Sequence, residues 1–198
     1  MATIDKNLLN QLRDITGLGM MDCKKALEET NGDIDAAVES LRKKGAAVAL
    51  KRSDKGTSEG LVHAYIHPGS RVGVLIEINC ETDFVARTEA VEKFAHDVCL
   101  HIAAMKPLYL EPAQVDPTFL EHEKEILREQ LAGSGKPAKI VDQILEGKVQ
   151  KMYTDICLIE QTFVKDDQKT IKDLLQELMA KTGENIKIRR FSRFEIGA

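Results

Sequence analysis

LVHAYIHPGSRVGVLIEINCETDFVARTEAVEKFAHDVCLHIAAM, residues 61–105, holds the change of pattern from which the fold is read. LVHAYIH and RVGVLIEIN are runs rich in β-branched and aromatic residues, and Pro68-Gly69-Ser70 between them is a turn, so they predict a β-hairpin. From about Thr88 to Met105 the apolar positions change to helical spacing, with Val91, Phe94, Ala95, Val98 and Ile102 on one stripe, and Lys106-Pro107 ends the run. Strands joined by a tight turn and then covered by a helix predict an α+β core with an antiparallel sheet and flanking helices. Between strand and helix lies NCETDFVA, read as a loop.

Upstream, residues 4 to 45 predict three short helices. Leu8, Leu9, Leu12 and Ile15 recur at helical spacing until Thr16-Gly17 breaks the pattern. A second helix from about Met20 to Thr30 ends at Asn31-Gly32, which suits a left-handed terminus. Asp33 caps a third, and Arg42, Lys43 and Lys44 precede Gly45 at its far end. Residues 46–58 are small, charged and glycine-containing, either a linker or an extended helix tail. Two domains are therefore expected, a helical module over 1–53 and an α+β core over 54–198. Downstream, Asp116-Pro117 and Pro137 open two helices. A strand near Ile156–Phe163, a helix from about Asp167 to Lys181 and a last strand in ENIKIRRFSRFEIG complete the chain. LIE-INCETDFV at 75–85 is partly repeated as LIE-QTFV at 158–164. The helices after them match at an offset of 80 residues, through one unit used twice or through a coincidence of two amphipathic helices.

The 198 residues are 43% hydrophobic and 30% charged, with net charge −4, the balance of a globular chain. A chain of this length buries roughly 70% of its unfolded surface without a staple. The acidic balance argues against a nucleic acid as the main partner. Cys23, Cys80, Cys99 and Cys157 form no C-x-x-C pair, so free thiols are expected and no zinc or redox motif is indicated. The start MATIDKNLLN lacks signal-peptide features and no apolar run reaches about 20 residues, so a cytoplasmic chain with no membrane partner is expected.

Candidate chemistry is sparse. GSGK at 133–136 lacks the first glycine of a phosphate loop, since Gln130 stands there. Pro137 replaces the magnesium-binding hydroxyl, so a turn between helices is preferred to a nucleotide site. His63 and His67 share a strand face, and His96 and His101 lie close together on a helix, with no third metal ligand in register. Cys80 has no assignable base. No cofactor, no metal and no direct nucleotide binding are expected. Met20 and Met21 are neighbours about 100° apart on a helix, so at least one is expected to be exposed and available for contact; partial cover of both is the alternative. The sharpest feature is Glu81-Thr82-Asp83-Phe84-Val85. An aromatic there either closes the core or, with its acidic neighbour, forms an apolar probe for a partner's pocket.

The stretch LRDITGLGMMDCKKALEETNGDIDAAVESLRKKG resembles the N-terminal, ubiquitin-associated-like module of the elongation factor Ts family. IEINCETDFVAR, EGKVQKMYTDICLIEQTFVKD and RRFSRFEIG resemble later blocks of the same family, in its short bacterial-type form. The resemblance implies a guanine nucleotide exchange factor, not an enzyme, that binds elongation factor Tu and releases GDP. It implies that Arg13, Met20, Met21 and Lys24 contact the partner's nucleotide domain. Thr82, Asp83, Phe84 and Val85 would disturb its magnesium site, and His101 would face its third domain. A ubiquitin-associated-like scaffold with another partner explains residues 4–45 but not the Asp83-Phe84 loop. A Cys80 or histidine enzyme is the other rival. A non-covalent homodimer is expected, because Ile186, Ile188, Phe191, Phe194 and Ile196 leave apolar surface and a sheet edge to cover. Arg189, Arg190 and Arg193 guarding that edge in a monomer is the competing account.

Overall fold

A computed structural model describes residues 5–132 and 137–197. Its N-terminal quarter is α1 (Lys6–Thr16), α2 (Met20–Glu29) and α3 (Ile34–Arg52). Asp5 caps α1 by accepting from the Asn7 amide, and Asp33 caps α3 by accepting from Ala36. Gly17 ends α1 at φ 66°, a left-handed geometry that glycine takes without steric cost, and its amide donates to the Arg13 carbonyl. Leu12, Cys23, Ala26, Leu27, Ala37 and Leu41 form a core of their own between these helices.

The second core lies under a three-stranded antiparallel sheet ordered β1 (Glu59–Ile66), β2 (Val72–Cys80), β5 (Ile186–Glu195). On β2, Val74, Ile76, Ile78 and Cys80 point inward while Leu75, Glu77 and Asn79 point outward, the period-2 alternation of a half-buried strand. Two helices cover the inner face. In α5 (Glu89–Met105) Val91, Ala95, Val98, Cys99 and Ile102 are wholly buried, and in α8 (Ile171–Thr182) so is Ile171. α6 (Pro117–Ala132) and α7 (Ala138–Ile156) pack against each other. Gly133–Lys136, which carry the GSGK run, lie outside the described residues. The class is α+β, as expected.

Several expectations shift. Gly45 does not end α3. The helix runs on to Arg52, so the helix-tail alternative holds for residues 46–52, and Lys51 and Arg52 are the cations of its last turn. Gly45 instead lets α3 cross α8 closely, since a Cβ there would stand 3.2 Å from the Ala180 Cβ. Residues 156–163 are not one strand. α7 reaches Ile156, Cys157 makes an isolated parallel bridge to Tyr109, Leu158–Glu160 form a 3-10 turn, and Thr162–Phe163 (β3) pair with β4 (Asp166–Thr170). α8 begins at Ile171 because Thr170 and Asp173 form a reciprocal capping box. The apparent repeat thus holds for the buried stripes of α5 and α8, whereas Leu75–Glu77 is strand and Leu158–Glu160 is not.

Along β5, Ile186 and Ile188 are buried in the chain's own core, and a bulge opposite Glu77/Ile78 re-aims the remainder of the strand. Phe191 packs inward and Arg193 donates to the Ala103 carbonyl, while Phe194 and Ile196 remain exposed. Arg193 is therefore no guard of the strand edge. Replacing Gly45 with leucine should wedge α3 from α8 and cost about 1–3 kcal/mol. Thermal unfolding measures this: a lowered transition is expected, and an unchanged one would show that the crossing is loosely packed.

Candidate functional site

Residues 81–88 bridge the buried end of β2 to the buried start of α5. The expected loop contains a single helical turn, α4 (Asp83–Ala86). Thr82 caps it, its hydroxyl accepting from the Val85 amide at 3.4 Å, and its own amide and hydroxyl donate to the Glu184 carboxylate at 3.1 and 2.7 Å. Ala86 is buried and Val85 packs against the main core. Asp83 pairs with Arg87 one turn on, at 3.0 Å. Phe84 lies between these anchors with 81% of its surface exposed. Core closure therefore does not explain it. Of the four residues singled out in sequence, Thr82 and Val85 are engaged within the chain, and Asp83 and Phe84 present outward chemistry.

The similar-looking Phe163 behaves oppositely: it is buried and its ring lies 6.1 Å from that of His101. His101 is fully buried, which is at odds with a partner-facing role. The Val164 amide donates to its Nδ1 at 3.2 Å, so the proton resides on Nε2, which meets Gln161 Oε1 at 2.9 Å. Nor do His96 and His101 share a face, since five residues rotate a helix by about 140°. His96 is exposed and meets His63 and Tyr65 edge-on at 5.6 and 5.4 Å.

On the helical module, Met20 and Met21 are both exposed, at 51% and 74%; the first turn of α2 projects beyond the module's core, whose first α2 member is Cys23. Lys24 follows Met20 by one turn and pairs loosely with Glu28 at 3.8 Å. Arg13 is exposed on the last turn of α1, three residues before the break that separates it from α2. Arg13, Met20, Met21 and Lys24 thus flank one inter-helix turn, away from Phe84 in sequence and in core.

Cys80 adjoins the loop but is no nucleophile in this state: it is wholly buried, and burial, with the Glu184 charge, pushes its thiol up to about 11. Cys99 rises to about 12 and Cys157 to about 11, both chiefly through burial. Among the described residues no three of His, Cys, Asp and Glu gather as a metal site, and no helix is long and apolar enough to cross a membrane. Sequence reasoning missed Arg52, Glu184 and Asn185, which bond to residues 81 and 82. They lie 29 to 104 positions away, and only the topology brings them together.

The result is an α+β protein with Phe84 exposed beside one core and Met20 and Met21 exposed beside the other. The family described as Elongation factor TS matches residues 3–198. Elongation factor Ts of Geotalea daltonii is 54% identical over 195 residues, covering 98% of this chain and 90% of that relative. That of Caldanaerobacter subterraneus subsp. tengcongensis is 53% identical, covering 98% and 97%. That of Herpetosiphon aurantiacus is 51% identical over 99% of each. Likeness of this extent defines a translation elongation factor. The chain belongs to the elongation factor Ts family.

His101 gives the fold a pH signature. Burial lowers its pKa below the ordinary histidine value near 6.5, with the Gln161 hydrogen bond opposing. The unfolded chain therefore takes up the proton first as pH falls, so stability is intact above about 6.5 and declines below it. His63, also lowered by burial first and by His96 second, contributes in the same direction. Urea midpoints at pH 7.5 and 5.5 should show a fall in the wild type and a smaller fall in His101→Gln; equal falls would contradict the buried neutral ring.

Proposed function

We propose that the chain is a guanine nucleotide exchange factor: it binds GDP-bound elongation factor Tu, disturbs its magnesium site, and releases GDP so that GTP can enter. The observation that carries this is Phe84, an exposed aromatic held between a capped turn and the core. GDP is held in such partners by phosphate-loop amides and a magnesium ion shared between protein and phosphate. An apolar ring entering a pocket beside that site displaces the elements that position the ion. Asp83, freed from Arg87, holds a displaced element by charge or hydrogen bonding. With the ion gone the phosphates lose compensation and the nucleotide leaves. No covalent chemistry by this chain is involved, and it binds no nucleotide itself.

Arg13, Met20, Met21 and Lys24 supply the second contact, on the partner's nucleotide domain. The unbranched, polarizable methionines adapt to an apolar surface, and Arg13 and Lys24 add charge at its border. Two contacts are needed on energetic grounds. Weakening GDP ten-thousand-fold takes about 5.5 kcal/mol of differential binding, more than one loop supplies. The chain works as two domains, residues 1–53 and 54–198, with separate cores joined by α3.

A non-covalent homodimer is the assembly we infer, with two copies of each partner. Half of the outer sheet face is apolar: Ile66, Leu75, Phe194 and Ile196 are exposed, and Gly73 pairs with Phe194. The other half carries the Glu77–Arg190 ion pair at 2.6 Å and Lys187. An apolar patch with a polar border suits a self-complementary two-fold contact.

Two measurements check these proposals. Phe84→Ala should slow GDP release from elongation factor Tu at least about tenfold, since the probe's contact exists only in the exchanging complex, and leave the thermal transition unchanged. A loss of the roughly 3–5 kcal/mol typical of a core phenylalanine would contradict the probe assignment. Light scattering at micromolar concentration should give the mass of two chains, and Phe194→Asp should return one. A wild-type mass of 22.1 kDa, unchanged on concentration, would end the dimer proposal.

A further inference from the structure

Polar groups from two distant segments, residue 52 and residues 184–185, converge on the two residues that precede α4. Arg52 Nη1, at the end of α3, meets both oxygens of the Glu81 carboxylate at 2.9 and 3.0 Å. The Asn185 amide donates to the same carboxylate at 2.6 Å. The Asn185 side chain, wholly buried, donates to the carbonyls of Ser53 and Lys55 at 3.3 and 2.8 Å, just beyond α3. Lys187 Nζ donates to the Ser53 carbonyl at 3.0 Å. Glu184 then holds Thr82, whose hydroxyl caps the turn bearing Phe84. The hydrogen bond from the Asn185 amide, and then Arg52, keep the Glu81 carboxyl below its usual range. Closing the core does not require these bonds, since Cys80, Ala86 and Val91 already bury the ends of the segment. What the bonds add is a fixed relation between the last turn of α3 and the cap of α4.

We propose that Arg52, Glu81, Glu184 and Asn185 form a latch that makes the end of α3 a positioning element for Phe84, so that the N-terminal module and the loop act on a partner as one rigid piece. Docking the module then aims the ring, because α3 carries both the module's core residues Ala37 and Leu41 and the latch arginine. Arg52 is a positioning residue: it touches the loop and acts through it. This deepens the exchange activity proposed above and depends on it for its consequence, though not for its geometry.

The test compares full-length wild type, Arg52→Met and Arg52→Lys. Release of labelled GDP from elongation factor Tu is followed as a function of added chain, together with backbone amide exchange of the free chain. Arg52 is partly exposed, so its loss leaves both cores intact. For Arg52→Met the maximal release rate should fall about fivefold, the scale of a partly exposed ion pair. The half-saturating concentration should change less than about twofold, because docking by the module is untouched. Amides 82–86 should exchange faster while β2 and α5 do not, and Arg52→Lys should recover part of the rate. An unchanged maximal rate overturns the latch, as does a raised half-saturation alone, which signals loss of folded chain. Unaltered protection of amides 82–86 overturns it too. If wild type itself fails to speed GDP release, the exchange proposal is what fails, and amide exchange alone then decides whether the latch exists.

Discussion

Burial of the inner sheet face beneath α5 and α8 is the constraint on which the rest depends. β2 enters that core through Ile76, Ile78 and Cys80, and the chain must return to it at Ala86 and Val91. Only a few residues remain to make the crossing, too few for a wandering loop, and Thr82 shapes them into one capped turn. In a four-residue turn whose third and fourth side chains face the core, the second points away. Phe84 is that residue. Its exposure follows from the anchoring of its neighbours, and an unsatisfied apolar surface of this size on an ordered backbone is ready to bind without a large ordering cost.

The same constraint organises the two cores. α3 spans roughly 28 Å at 1.5 Å per residue, starting among Leu12, Leu27 and Leu41 and ending where Ala49 joins the main core. Gly45 brings it close to α8, and Arg42 and Lys169 both reach Glu177 on α8, at 3.6 and 2.8 Å. These surface pairs are each worth little, so the crossing relies on close contact more than on charge. A partner that touches both cores meets surfaces already set relative to each other. In the exchange activity proposed above, binding energy gathered at the methionines would then be available at the loop, as a differential contact must be if it is to displace a tightly held nucleotide.

Much of the fold was legible because local chemistry and burial agreed. Asp33, Gly17, Pro68-Gly69-Ser70 and the stripe through Val91 and Ile102 mark their elements without help from distant residues. The misreadings share one cause, tertiary contact overriding a local signal. Gly45 reads as a helix stop, yet a helix carries it through because Ala180 lies opposite. Ile156–Phe163 has the composition of a strand, but α7 claims its start and the carbonyls of Tyr109 and Leu110 take its next amides. Phe84 and Phe163 follow the same Leu-Ile-Glu tripeptide and differ in fate because four more residues separate Phe84 from it, the first three of them completing β2. The exposure of the methionines was visible in sequence, with Met21 more exposed than the neighbour rule required. His101 was not legible as an interior residue: no local pattern indicates that Gln161 and Val164, about sixty positions on, will satisfy both ring nitrogens.

An exchange factor is defined thermodynamically by reciprocity: if the chain weakens GDP on its partner by some factor, GDP must weaken the chain by the same factor. Titration of labelled chain with elongation factor Tu, nucleotide-free and then saturated with GDP and magnesium, measures this directly. The two affinities should differ by a large factor, on the order of a hundredfold or more, matched by the factor separating GDP affinities with and without the chain. Equal affinity for the two forms would contradict the exchange proposal, however tight the binding.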